Sequence, residues 1–99
     1  MERARKVEEK AIEKKLIKAV KSRGGLALKF VSPGYDGVPD RLVLLALGKI
    51  AFVEAKAPDE KPRKLQLLRH KQIRALGFKV YVLDNEKDIG GIIDEIQST

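Results

Sequence analysis

VPDRLVLLALGKIAFVEAK, residues 38–56, contains two apolar runs separated by Gly48-Lys49. Residues 41–47 are almost continuously apolar, as expected of a strand covered on both faces, and residues 50–56 read as a second strand. A turn this short pairs the two antiparallel. Asp40 opens the first strand, and Glu54 and Lys56 end the second. Side chains two apart on a strand share a face, so Glu54 and Lys56 project together. The pairing sets Asp40 beside Glu54. Two carboxylates and a lysine therefore converge at one edge of a sheet.

Upstream, residues 3–23 contain no Gly or Pro and carry Ile12, Leu16, Ala19 and Val20 at helical spacing, which predicts a helix stopped by Gly24-Gly25. Residues 26–31 read as a strand, and the Pro- and Gly-rich segment 32–39 as a loop. Downstream, residues 57–62 are a polar loop and 63–76 a second helix, with Leu65, Leu68, Ile73 and Leu76 on one side and Gly77 beyond its end. Residues 79–83 read as a fourth strand, and 86–97 as a final helix packed through Ile89, Ile92, Ile93 and Ile96. The order is α-β-β-β-α-β-α. The second helix can return the chain to a parallel fourth strand, giving a mixed α/β sheet flanked by helices.

The whole chain, 99 residues, is sized for one domain, 1–99. Absence of cysteine excludes disulfides, thiolate metal sites and thiol nucleophiles, and a single histidine excludes polyhistidine metal sites. The longest apolar run, Leu42 to Leu47, is too short to cross a membrane. Residues 1–6 are charged and no apolar segment follows them, so no secretory signal and a cytoplasmic location are expected. Twenty-one Lys and Arg against 14 Asp and Glu leave a net charge of +7, which points to a polyanion, most commonly nucleic acid.

Paired carboxylates suit Mg²⁺, which prefers hard oxygen ligands. A metal there can polarise a phosphoryl oxygen and acidify a water, and a lysine can orient that water or stabilise developing charge. Spacing alone leaves open that Glu54 and Lys56 are an exposed pair and Asp40 a turn residue.

The runs Lys29-Phe30-Val31-Ser32-Pro33-Gly34, Gly37-Val38-Pro39-Asp40-Arg41 and Phe52-Val53-Glu54-Ala55-Lys56-Ala57-Pro58 stand in this element order. Gln66 and Leu76-Gly77-Phe78-Lys79-Val80-Tyr81-Val82 follow them. Together they resemble the PD-(D/E)XK superfamily with its restriction-endonuclease-like core and, more narrowly, the VRR-NUC (virus-type replication-repair nuclease) domain. The resemblance spans nearly the whole chain. It implies an endodeoxyribonuclease dependent on Mg²⁺ or Mn²⁺, with metal held by Asp40, Glu54 and the Ala55 carbonyl, and Lys56 assisting the attacking water. It also implies a metal-binding glutamate from the first helix. Glu9 lies near the centre of the Ile12/Leu16/Val20 stripe and Glu13 at its border, which favours Glu9.

Gln66 falls where the family places a glutamine near the site. The basic residues Lys61, Arg63, Lys64, Arg69, His70, Lys71 and Arg74 suggest a phosphate-contacting face, with His70 a surface contact. Ser32, Tyr35 and Arg41, in and beside the glycine loop, are further candidates for DNA contact. Single-domain members of the family resemble Holliday-junction resolvases and act as dimers, so the implied substrate is branched DNA and the implied state a homodimer. The alternatives are a monomeric flap or non-specific nuclease, and a nucleic-acid-binding module without catalysis.

Overall fold

The computed structural model describes residues 2–98. Its elements are α1 (Glu2–Ser22), β1 (Leu26–Lys29), β2 (Arg41–Leu45), β3 (Lys49–Ala55), α2 (Lys64–Ala75), β4 (Lys79–Leu83) and α3 (Ile89–Gln97). The expected order stands. The sheet runs β1-β2-β3-β4, antiparallel across the first three strands and parallel between β3 and β4. α1 stops where Gly24 adopts φ +81, and its amide donates back to the Lys21 carbonyl at 2.9 Å.

Strands β1 and β2 are shorter than their apolar runs. β1 ends at Lys29, although the Phe30 N–H still donates to the Asp40 carbonyl at 2.9 Å. β2 ends at Leu45, paired with Lys49. A 3₁₀ turn over Ala46–Gly48 joins them, with Leu47 at φ 64 and Gly48 at φ 73. Leu47, predicted to be a strand residue, is a turn tip that is 94% exposed.

Alternation along the strands divides the sheet into two unlike faces. One face presents Val43, Leu45, Ala51, Val53 and Leu83 to Ile12, Leu16 and Val20 of α1 and to the four isoleucines of α3, making the core. The other carries Leu26, Leu28, Leu42, Leu44, Ile50 and Phe52, with a row of rings from Phe30 through Phe52 to Phe78 at 5.5 and 6.1 Å centroid spacing. α2 covers only the β4 side of this face. Leu42 and Leu44 are half-buried and Leu26 and Leu28 are exposed, so β2 is not covered on both faces as its composition predicts.

The second correction concerns α2. Leu65, Leu68 and Leu76, the expected packing side, are exposed, and Ile73 is half-buried. Gln66 and His70 are the buried residues of this helix. Positions 66, 70 and 73 also form a helical stripe, and the surface they meet includes the buried carboxylate of Glu54 rather than hydrocarbon alone. That carboxylate needs donors, and leucines have none.

Candidate active site

Asp40 sits where the glycine loop enters β2, directly after the fully buried Pro39. Its backbone carbonyl accepts from Phe30, and its Oδ1 accepts from the Ala55 N–H at 3.1 Å. The hairpin register, Arg41 opposite Val53, carries the next residues along, so Asp40 faces the Glu54–Ala55 end of β3. The Lys56 amide continues the β3–β4 ladder by donating to the Leu83 carbonyl at 2.9 Å. Glu54 and Lys56 are both buried, at 4% and 8% exposure, where a solvated surface pair would lie open.

From the opposite side, α1 adds two carboxylates. Glu9, Glu13 and Asp40 each offer an oxygen, all within 4.8 Å of one another. Glu13 is already engaged: Arg41 donates to its Oε2 through Nη2 at 2.7 Å and Nε at 3.1 Å. Arg41 also reaches the Ala27 carbonyl at 3.4 Å, so its guanidinium, expected to meet DNA, ties α1 to the sheet. Glu9 instead lines a cleft with Lys56 and Glu60.

α2 supplies the partners of Glu54. Gln66 Nε2 donates to Oε2 at 3.2 Å, while Gln66 Oε1 accepts from the Arg63 N–H at 2.8 Å. His70 Nε2 stands 3.3 Å from Oε1. His70 is fully buried, which corrects the expectation of a surface contact with DNA. The clue was its spacing: His70 follows Gln66 by four residues and shares its helix face.

The electrostatics follow from this crowding. Burial pushes the Asp40 carboxyl up to about 6, aided by Glu13 and Glu9 and opposed by the Ala55 N–H. Burial and the neighbouring Asp40 push Glu54 up to about 8 against the pull of Lys56. Glu9 is raised as well, chiefly by burial. His70 is lowered, because burial and the cations Arg74 and Lys56 disfavour its charged form. Buried carboxylates that repel one another are stabilised by a cation among them, and all their donors are hard oxygens. The residues present therefore fit a divalent metal of the Mg²⁺ class.

Around the site, Arg5, Lys6, Lys61 and Arg63 share a cleft with Glu9, Lys56 and Glu60. Arg5, Lys6 and Glu60 were not singled out from the sequence; for Arg5 and Lys6 the dense charge of the first helix was the available signal. Lys61, Arg63, Lys64, Lys71 and Arg74 are exposed, and Arg74 donates to the Val80 carbonyl. Ser32 is half-buried, and its carbonyl accepts from the Tyr35 N–H. The loop packs onto α2: Tyr35 Oη donates to Gln72, and Arg69 stacks 3.6 Å over the Tyr35 ring while donating to the Asp36 carbonyl. Gly37, at φ +88, lies so close to α2 that a Cβ would stand 2.8 Å from Leu65 Cγ. Tyr35 and Arg69 are thus partners of each other.

No helix among the described residues is long and apolar enough to cross a membrane. No family model matches the sequence. The chain is 52% identical over 92 residues to "Putative nuclease p44" of Acyrthosiphon pisum secondary endosymbiont phage 1, an alignment covering 93% of this chain and 98% of that one. A solved structure described as "VRR_NUC domain" superposes with a TM-score of 0.82 at 34% identity, covering 88% of this chain and 95% of the other. Those similarities, extending over nearly the full length of both relatives, show that this chain belongs to the VRR-NUC family of nucleases.

Proposed function

We propose that the chain is a divalent-metal-dependent DNA endonuclease that cuts branched DNA as a homodimer. The observation that carries the catalytic part is the convergence of buried Glu54 and Lys56 with half-buried Asp40 and with Glu9 of α1, close enough for their charges to act on one another. Asp40, Glu54, the Ala55 carbonyl and Glu9 would hold the cation. When bound, a Mg²⁺ or Mn²⁺ ion supplies charge that polarises a phosphoryl oxygen and lowers the pKa of water. Lys56 faces the same space and donates to the attacking water or to a phosphoryl oxygen, stabilising the charge that develops there. Gln66 acts through Glu54, whose carboxylate it holds. Exposed Lys61, Arg63, Lys64 and Lys71 bind the phosphate backbone without reading sequence.

Two features support the dimeric, junction-cutting form. A four-way junction is close to two-fold symmetric, and resolving it requires cuts on two strands; one copy of Asp40/Glu54/Lys56 serves one strand at a time. The sheet face bearing Leu26, Leu28 and Phe78, 57%, 43% and 42% exposed, is apolar surface suited to a second copy of this chain.

The deciding experiment is nicking of supercoiled plasmid with Mn²⁺, run beside EDTA, for the wild type, Asp40→Asn, Glu54→Gln and Lys56→Ala. Both carboxylate variants should lose cleavage yet keep DNA binding, because the basic face is untouched. Lys56→Ala should slow turnover by about 10²-fold or more, the scale of an electrostatic catalytic group. Cleavage by either carboxylate variant at near wild-type rate rejects the metal-site reading. A panel of junctions, flaps and linear duplexes then ranks substrates; a preference for flaps by a monomer selects the alternative form.

A further inference from the structure

His70 is the single imidazole of the chain, and the chemistry just described gives it no part. It lies on α2 at 0% exposure. Burying an imidazole in place of a leucine is unfavourable unless its nitrogens have partners. One does: Nε2 is 3.3 Å from Glu54 Oε1. Nδ1 has no hydrogen-bond partner among the described residues. A proton on Nδ1 would be a buried donor without an acceptor, whereas a proton on Nε2 points at a carboxylate oxygen. The network therefore assigns the neutral Nε2–H tautomer.

The other oxygen of Glu54 is also held from α2, by Gln66 Nε2 at 3.2 Å. Residues 66 and 70 are one turn apart on one helix face, so a rigid element presents two donors, one to each oxygen. Two such contacts fix the plane of a carboxylate and leave each oxygen a lone pair for a further partner. Side chains that orient a metal ligand in this way govern affinity without touching the ion.

We propose that His70 is a positioning residue for Glu54: its Nε2–H holds Oε1 while Gln66 holds Oε2, so that α2 sets the direction in which Glu54 meets a divalent cation. This rests on the reading of Glu54 as a metal ligand. It assigns the inward turn of α2, with its leucines left outside, to preorganisation of the site.

The test uses the full chain without DNA and measures Mn²⁺ affinity by calorimetry beside the thermal unfolding midpoint. His70→Leu, which keeps apolar bulk and removes the donor, should weaken Mn²⁺ binding by about 10- to 100-fold. His70→Gln, which can place an amide nitrogen near the original Nε2, should recover most of that loss. A His70→Leu protein with a lowered unfolding midpoint and unchanged Mn²⁺ affinity overturns the proposal, because packing alone would then explain the residue. Glu54→Gln is the control that separates the two claims. If it abolishes Mn²⁺ binding while His70→Leu does not weaken it, only the positioning role fails. If Glu54→Gln binds Mn²⁺ as the wild type does, the metal reading fails and takes the proposal with it. Should His70→Leu not fold, ¹⁵N spectra of the wild type decide the matter through its one imidazole: protonated Nε2 with bare Nδ1 supports the assignment, and the opposite tautomer overturns it.

Discussion

Glu9 and Glu13 are one helical turn apart on α1, yet their surroundings assign them different work. Glu13 is held by two hydrogen bonds from Arg41, in a pair whose side chains are 20% and 15% exposed respectively. Glu9 faces Lys56 and the carboxylate cluster. Glu9→Gln should therefore raise the metal concentration for half-maximal cleavage, while Glu13→Gln should mainly cost about 1 kcal/mol of stability through loss of the ion pair. Metal titrations and unfolding curves of both variants check this; a larger metal shift in Glu13→Gln would exchange the assignments. The raised carboxyls also set a pH dependence. Asp40 moves from 3.8 to about 6 and Glu54 from 4.5 to about 8 on folding. The folded chain thus holds protons that the unfolded chain has released, so their stabilising contribution is full below about pH 4 and is lost as pH rises through 6 and 8. The unfolding midpoint of metal-free protein should fall between pH 5 and 8.5. Mg²⁺ requires the ionised carboxylates, so it should restore more stability at pH 8.5 than at pH 5.5. Thermal scans with and without Mg²⁺ measure both slopes, and a metal-free midpoint that rises with pH would contradict the environment described for these groups.

At the scale of elements, the β2–β3 hairpin contains an avoidable cost. Leu47 adopts φ 64 and ψ 29 with its side chain in solvent. An L-residue in that region costs roughly 1–2 kcal/mol, which asparagine tolerates better. Leu47→Asn should stabilise the chain by about 1 kcal/mol, a rise of about 4–8 °C in unfolding midpoint for a domain of this size, with cleavage unchanged because the turn lies at the far end of the strands from Asp40 and Glu54. A lowered midpoint would mean that the exposed leucine packs against something outside a single chain. α2 makes the complementary point. Its leucines gave a plausible packing side, but its inward face follows the buried carboxylate, because an unsatisfied anion costs more than an exposed leucine.

Across the whole molecule, the sheet has one complete interface and one partial one. α1 and α3 close the first face, while α2 leaves the β1–β2 side of the second open. If a second copy covers that area, a charge placed in it should separate the copies without unfolding either. Leu28→Glu, at a position 43% exposed in the single chain, should shift light-scattering mass from two chains to one. It should keep plasmid nicking but lose paired cutting of four-way junctions. Wild-type protein that scatters as a monomer would remove the dimer from the proposal.

The element order and the Asp40–Glu54–Lys56 convergence were legible in the sequence, because they depend on short-range rules: a two-residue side-chain period, a tight turn and helix-stopping glycines. The charge balance likewise announced a polyanionic partner through composition alone. Which way α2 turns was not legible, since two stripes on that helix were compatible with its spacing and the choice depended on a carboxylate ten or more residues away in the chain. The same holds for Arg41 and Tyr35. Each looked available for DNA, and each is occupied by a residue distant in sequence, Glu13 and Arg69 respectively. Local periodicity fixes what a segment can present; long-range pairing of buried charge and polar groups, which exists only once the elements are packed, decides what it does present.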